Sequence, residues 1–190
     1  MPERQSEFHR RSIEQRDAFW TEQARLIDWQ RPFDKVLDYS RPPFARWYPG
    51  GTTNLCHNAV DRHLAARGDQ NALVWISTEV DKTAAFTYRQ LHAEVNRVAA
   101  MMQALGVKRG DRVIIYMPNI PEAVFAVLAC ARPGAVPSVG FDGFAAARLA
   151  TRITHAPPGL MVTGRASSPR DQGHSDHPLA PQPRRRGTNH

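Results

Sequence analysis

The sequence predicts an α/β fold, with helices around a partial, mostly parallel sheet, and three observations carry that reading. Val113, Ile114, Ile115 and Met117 form a short apolar run between Gly110-Asp111 and Pro118-Asn119, which suits a strand buried on both faces. Residues Ala123 to Ala131 include no charged side chain, and a helix apolar all round must be covered on most sides. After Arg132-Pro133-Gly134 stops that helix, Ala135 to Val139 can return as a parallel neighbour, giving a right-handed strand–helix–strand unit. Asn119 is placed to cap the helix with Glu122 three residues on, and Pro121 falls in the first turn. Burial of Val124, Phe125, Val127 and Leu128 would contribute roughly 1.5–3 kcal/mol each before ordering entropy is set against it.

The elements on either side follow from the same reasoning. Ser6 to Trp29 is helix-like, with Phe19, Trp20, Ala24 and Leu26-Ile27 as an apolar stripe, and Ser12 followed by Gln15 offers a second helix start. Arg31 to Thr53 is irregular, with four prolines and Gly50-Gly51 among Phe33, Tyr39, Phe44, Trp47 and Tyr48. It reads as a structureless stretch pinned along a surface, one that residues the chain lacks could supply. Asn54 to Gly68 reads as one helix stopped by Gly68. Ala72–Ser77 and Ala84–Thr87 read as a hairpin turning near Asp81-Lys82. Thr87 with Gln90 forms a capping box, stapled by Phe86 and Leu91. The helix that follows presents Leu91, Val95, Val98, Met102 and Leu105, and Gly106 ends it. A helix to about Ile153 and a strand at Gly159–Thr163 come after Phe144. From Arg165 to His190 the only large aliphatic residue is Leu179, so this tail reads as disordered.

Composition narrows the function. The net charge of +7 suggests a nucleic-acid binder, but the tail from Arg165 holds five Arg and two Asp, leaving +4 for the first 164 residues. Those charges are mixed in sign, without a basic stripe interleaved with aromatics, so a solvated surface is expected and no nucleic-acid partner. A basic nucleic-acid-binding role through Arg184-Arg185-Arg186 is the weakest alternative. Cys56 and Cys130 form no CxxC pair, and His57, Asp61 and His63 lack a recognisable metal-ligand spacing, so no metal site is expected and surface or hydrogen-bonding roles are preferred. The apolar runs are too short to span a bilayer, and the polar start shows no secretory signal. No membrane partner and a cytoplasmic location follow as expectations, which the two lone cysteines fit.

Two stretches, FARWYPGGTTNLCHNAVDRHL and FTYRQLHAEVNRVAAMMQALGVKRGDRVIIYMPNIPEAVFAVLACARPGAVPSV, resemble the AMP-forming short-chain acyl-CoA synthetases. The resemblance spans about Ser6 to Thr163, and NLCHNAVDRHL is closer to propionyl- than to acetyl-CoA synthetases. It implies the N-terminal portion of an adenylate-forming fold. Residues 1–55 would be the family's N-terminal extension, 56–164 the truncated start of the AMP-binding domain, and 165–190 a tail. It also implies a reaction in which carboxylate and ATP give acyl-adenylate and pyrophosphate, and CoA then displaces AMP, with ATP, Mg and CoA as the intact family's cofactors. The family's Ser/Thr/Gly-rich phosphate loop, acyl pocket and catalytic lysine have no counterpart in these residues. No catalytic residue is therefore assigned, no cofactor is expected for the fragment, and the chain alone is expected to be inactive.

One family site falls inside the chain. Where relatives carry Phe-Gly-Gly-Phe beside the CoA nucleotide, this sequence has Phe141-Asp142-Gly143-Phe144. Phe141 and Gly143 are the candidate cofactor-binding residues, since glycine admits a ligand close to the backbone and a following helix offers free N–H groups. Asp142 sets a negative charge against a polyanion, so CoA binding is expected to be weak or absent; a turn-making role for Gly143 is the alternative. Pro133, Pro137 and Gly140 also depart from the family pattern. A stand-alone nucleotide- or CoA-binding module remains the rival reading. One codon choice for PRDQGHSDHPL, read one base later, spells RGTKVIPITPL, which fits the family continuation and implies a frameshift near Ser168. A sheet cut at this point would leave an open edge, prone to pairing or aggregation.

Overall fold

The computed structural model describes residues 2–78, 80–140, 149–150, 153–154 and 158–164. At its centre is β5 (Arg112–Tyr116), flanked in parallel by β6 (Val136–Gly140) and β7 (Leu160–Thr163) in the order β6-β5-β7. The apolar run was the signal: Val113 and Ile115 are buried in the main core, and Ile114, on the opposite face by strand alternation, is buried as well. Helix α6 (Pro121–Ala131) joins β5 to β6 and packs on both. The start of this unit differs from expectation. Ile120, not Asn119, is the N-cap of α6, with Pro121 at the first helical position. Asn119 instead presents its carbonyl oxygen to the indole N–H of Trp75 at 2.7 Å, which draws it off the helix axis. The helix is also less completely covered than its composition suggests: Phe125 and Leu128 are buried, Val127 is half-buried and Val124 is exposed.

Helix α5 (Tyr88–Ala104) lies against α6. Its start is as read from the sequence: the Thr87 hydroxyl accepts from the Gln90 amide and the Gln90 side chain accepts from the Thr87 amide. Leu91, Val95, Ala99 and Met102 are buried, but Leu105 is exposed because the chain turns at Gly106, whose φ of +89° suits glycine. The hairpin of β3 (Asn71–Ser77) and β4 (Lys82–Thr87) packs on α5, with Asp81 at positive φ in its turn. Its inner face supplies Phe86, whose ring meets Phe125 edge-on at 5.2 Å.

The first third of the chain departs most from expectation. The helical stretch splits into α1 (Pro2–Glu14) and α2 (Arg16–Ala24). Ser12 does not cap the second: its hydroxyl donates back to the His9 carbonyl at 2.7 Å, and the break falls at Gln15. Phe19 and Ala24 are buried, while Leu26 and Ile27, past the helix end, are exposed. Arg31 to Thr53 is not structureless. It contains an antiparallel hairpin of β1 (Leu37–Arg41) and β2 (Phe44–Trp47) across a cis Pro42-Pro43 bond. The surface that pins it is the chain's own: Tyr48 donates to the Trp20 carbonyl at 3.0 Å, and Trp29, Phe33 and Tyr48 pack ring against ring.

Asn54 to Gly68 also breaks, into α3 (Leu55–Ala59), a 3-10 turn (Asp61–His63) and α4 (Leu64–Arg67). The break at Val60 buries that side chain fully and turns Asp61 and Arg62 toward other segments. Gly68 ends α4 through space and not through a left-handed φ: a Cβ there would stand 2.6 Å from the Leu64 carbonyl oxygen and 2.7 Å from Arg89 Nη2. The strand at Gly159–Thr163 is present as β7. Of the helix expected after Phe144, only 149–150 and 153–154 are described, and these are helical. The tail from Arg165 lies outside the described residues. Replacing Ile115 by Ala, at the centre of β5, is expected to cost about 2–5 kcal/mol, the range for a large aliphatic residue removed from a packed core; urea denaturation measures it.

Candidate functional site

The parallel strands end together. Tyr116 pairs with Gly140 on one side and Thr163 on the other, so the chain leaves all three strands at one edge. From β5 the chain crosses to β6 on one flank, and from β6 it returns to β7 on the other flank. The strand order thus reverses between β5 and β7, and open parallel sheets hold their ligands beyond the carboxyl ends of the strands at such a point. Gly140 is buried, and a Cβ on it would touch Tyr116 Cδ2 at 3.4 Å. Gly164 lies against the β5–α6 connection, where a Cβ would meet Met117 Cβ at 3.3 Å and Ile120 Cδ1 at 3.4 Å. The candidate residues Phe141, Asp142, Gly143 and Phe144 follow directly on Gly140 but lie outside the described residues. Pro137 sits in β6 opposite Val113; β6 is an edge strand among the described residues, where a missing donor is tolerated.

The carboxylates and cations of the described residues are arranged for cohesion. Asn54 has two tasks. Its side-chain oxygen accepts from the amides of Cys56 and His57 at 2.9 and 3.2 Å, capping α3, while its amide donates to the Ala131 carbonyl at 2.7 Å, satisfying the end of α6. Beside that carbonyl, Arg132 Nη2 donates to Asp61 Oδ1 at 2.8 Å and Nη1 donates to Oδ2, a bidentate pair with both side chains about four-fifths buried. Burial disfavours the Arg132 charge, but bonding to Asp61 outweighs it and holds the guanidinium protonated. Its Nε is buried without a hydrogen-bond partner.

The segment before α3 is tied in by the same chemistry. Asn58 accepts from the Asp28 amide at 2.8 Å and donates to the Asp28 carbonyl and the Thr53 hydroxyl. Arg62 donates to the Leu26 carbonyl at 2.8 Å and pairs with Asp28 at 3.3 Å. His57 Nε2 stands 3.1 Å from Asp28 Oδ2. Asp28 and His57 line a cavity of about 320 Å³ together with Trp29, Gln30, Asn54 and Asp61. His57 and Asp61 thus have the hydrogen-bonding roles expected of them, toward separate partners, and no cluster among the described residues suits a metal ion. No described thiol is activated: burial raises the Cys56 pKa and pushes Cys130 up to about 11.

Comparison with known proteins decides the family. The profile described as "AMP-binding enzyme" matches residues 60–188, and "Acetyl-coenzyme A synthetase N-terminus" matches residues 5–59. The chain belongs to the AMP-binding enzyme family. Curated relatives include a propionate–CoA ligase of Salmonella typhimurium, 57% identical over 86% of this chain and 26% of the relative, and one of Escherichia coli at 55% over the same shares. An acetyl-coenzyme A synthetase 2 of Pseudomonas putida is 47% identical over 85% of this chain and 25% of the relative. The chain therefore spans about a quarter of the length of the curated relatives it matches. Its fold resembles a solved acetoacetyl-CoA synthetase from Streptomyces lividans, with TM-score 0.75 and 35% identity over 82% of this chain and 24% of that one. The partial adenylate-forming fold is thereby established. The first profile also runs through the tail to residue 188.

Sequence reasoning missed the joint between Asp28, Asn58, Arg62, Asp61 and Arg132. A signal was present: Arg132 is the single charge after an uncharged helix, and such a charge beside a buried face needs a partner. Asp61→Ala is expected to destabilise the chain by about 2–4 kcal/mol, slightly less than for a wholly buried pair, because it strands the Arg132 charge; thermal and urea melts measure this. Because the folded Cys130 pKa is raised, its contribution to stability is complete below about pH 9 and is lost as pH climbs through about 11. The urea midpoint of the native chain should thus fall more steeply over that window than that of Cys130→Ala.

Proposed function

We propose that these residues form the amino-terminal part of an AMP-forming propionate–CoA ligase and supply scaffold, not chemistry. The observation that carries the substrate class is the identity gradient: 57 and 55% to two propionate–CoA ligases against 47 and 44% to acetyl-CoA synthetases. In the whole ligase, propionate would attack the α-phosphorus of ATP, releasing pyrophosphate and forming acyl-adenylate. CoA sulfur would then attack the acyl carbon and release AMP, with Mg screening the phosphate charge.

The part of this chain is to present the β5–β6–β7 carboxyl edge and, following Gly140 in the sequence, Phe141 and Gly143 to the CoA nucleotide. What the 190 residues hold cannot complete the first step. They contain no Ser/Thr/Gly-rich loop to cradle the triphosphate, and neither described thiol is activated as a nucleophile. Phosphoryl and adenylyl transfer rest on positioned cations and backbone donors, so without these there is no route to turnover.

The outer edges of β6 and β7 have no strand partner among the described residues, which supports self-association of the isolated chain through an open edge. We also propose that residues from about Ser168 onward are out of frame. The codon reading supports that and the family match to residue 188 weighs against it; the DNA sequence tests it.

Purified chain given propionate, ATP and Mg should show no ATP–pyrophosphate exchange above the protein-free rate, and clear exchange would overturn the inactive reading. Asp142→Gly should tighten CoA binding several-fold by calorimetry, because it removes a negative charge that opposes a polyanion; unchanged affinity would leave Gly143 with a turn-making role.

A further inference from the structure

The outer face of the β1–β2 hairpin serves neither the core nor the polar joint. Pairing sets Asp38 opposite Arg46 and Arg41 opposite Phe44. With Ser40, these residues line an open cavity of about 450 Å³. All four residues of β2 are exposed, Phe44 at 76%. A single exposed ring needs no explanation, but this one stands among charged side chains without partners. Asp38, the one acid in this cavity, already accepts from the Ser40 amide at 3.3 Å and pairs with Lys35 at 3.1 Å. The Arg41 and Arg46 side chains have no hydrogen-bond or ion-pair partner among the described residues. Two uncompensated guanidinium groups therefore flank the Phe44 ring. The sheet has two strands, so each presents an outer edge with no strand partner among the described residues.

We propose that this hairpin docks an extended acidic segment of a separate polypeptide. The segment adds as a third strand, sets carboxylates on Arg41 and Arg46, and lays an apolar side chain on Phe44. Strand addition uses the free backbone edge for affinity and alternate side chains for specificity, and the guanidinium fork takes a carboxylate in two parallel bonds. A second copy pairing through the same hairpin is a poor occupant, since it sets Arg41 and Arg46 against the same two arginines. A nucleic-acid strand would stack on Phe44, but it has no amide ladder for the free edge and carries phosphates past Asp38. The proposal is independent of the ligase reading.

The test uses the full chain and a blocked twelve-residue peptide, Glu-Thr-Val-Thr repeated three times, which puts Glu and Val in turn on one face of a strand. Controls are the same peptide with Lys for Glu, and an oligothymidylate of twelve nucleotides. Expected are saturable amide-shift changes centred on residues 37–47 with the acidic peptide. The affinity should fall at least tenfold in Arg41→Ala/Arg46→Ala and several-fold in Phe44→Ala, with melts unchanged. Should the double variant lose its melt, Arg46→Gln alone carries the test and should weaken binding at least threefold. Equal binding of the Lys peptide, undiminished binding by the arginine variants, tighter binding of oligothymidylate at these residues, or no binding at millimolar peptide would each overturn the proposal.

Discussion

Strand β5 is apolar on both faces and hydrogen-bonded on both edges, and most of the remaining structure is arranged to keep it from water. Val113 and Ile115 face a single continuous core built from α3, α5 and α6, and Ile114 is buried on the reverse face. A strand of this kind cannot stand at an edge or on a surface, because every side chain it carries would be stranded in solvent. Its parallel neighbours follow from that demand, and parallel neighbours require a crossover, which α6 supplies. The crossover in turn leaves the end of α6 with unsatisfied carbonyls beside a cation. Asn54 and Asp61 answer those two needs from a segment more than seventy residues earlier.

That joint makes the amino-terminal extension part of the same body. Asp28, Asn58 and Arg62 link the end of the aromatic segment to α3 through backbone as well as side-chain atoms. Trp29, Phe33 and Tyr48 then hold the segment's far end against α2. Bidentate and backbone-directed bonds fix register where apolar contact alone would permit sliding. The two family profiles that meet between residues 59 and 60 therefore meet inside one packed unit, at the fully buried Val60.

The sequence was most legible where one local rule spoke alone. The run Val113 to Met117, the Thr87–Gln90 capping box and the hairpin turn at Asp81 stand where periodicity and capping chemistry place them. It was least legible where a distant partner overrode a local preference. Asn119 had the residue type of a cap, yet Trp75 claimed its carbonyl from another element. Val60 interrupts a helical pattern because its side chain is needed in the core. The prolines and glycines between Arg31 and Thr53 resembled a loop, although Pro42-Pro43 turns a hairpin whose strands set Leu37 opposite Trp47 and Arg41 opposite Phe44. Phe141 and Gly143 came from family resemblance and lie outside the described residues; in the sequence they follow directly on Gly140, the last residue of β6.

If β5 is the seat of the fold and residues 28–62 are clasped onto it, hydrogen exchange of the native chain should show one slow class. The amides of residues 113–116, the α6 amides and those of Cys56 and Asn58 should exchange together and last, with β1–β2 opening at far lower free energy. Exchange of residues 113–116 as fast as residues 37–47 would contradict that organisation.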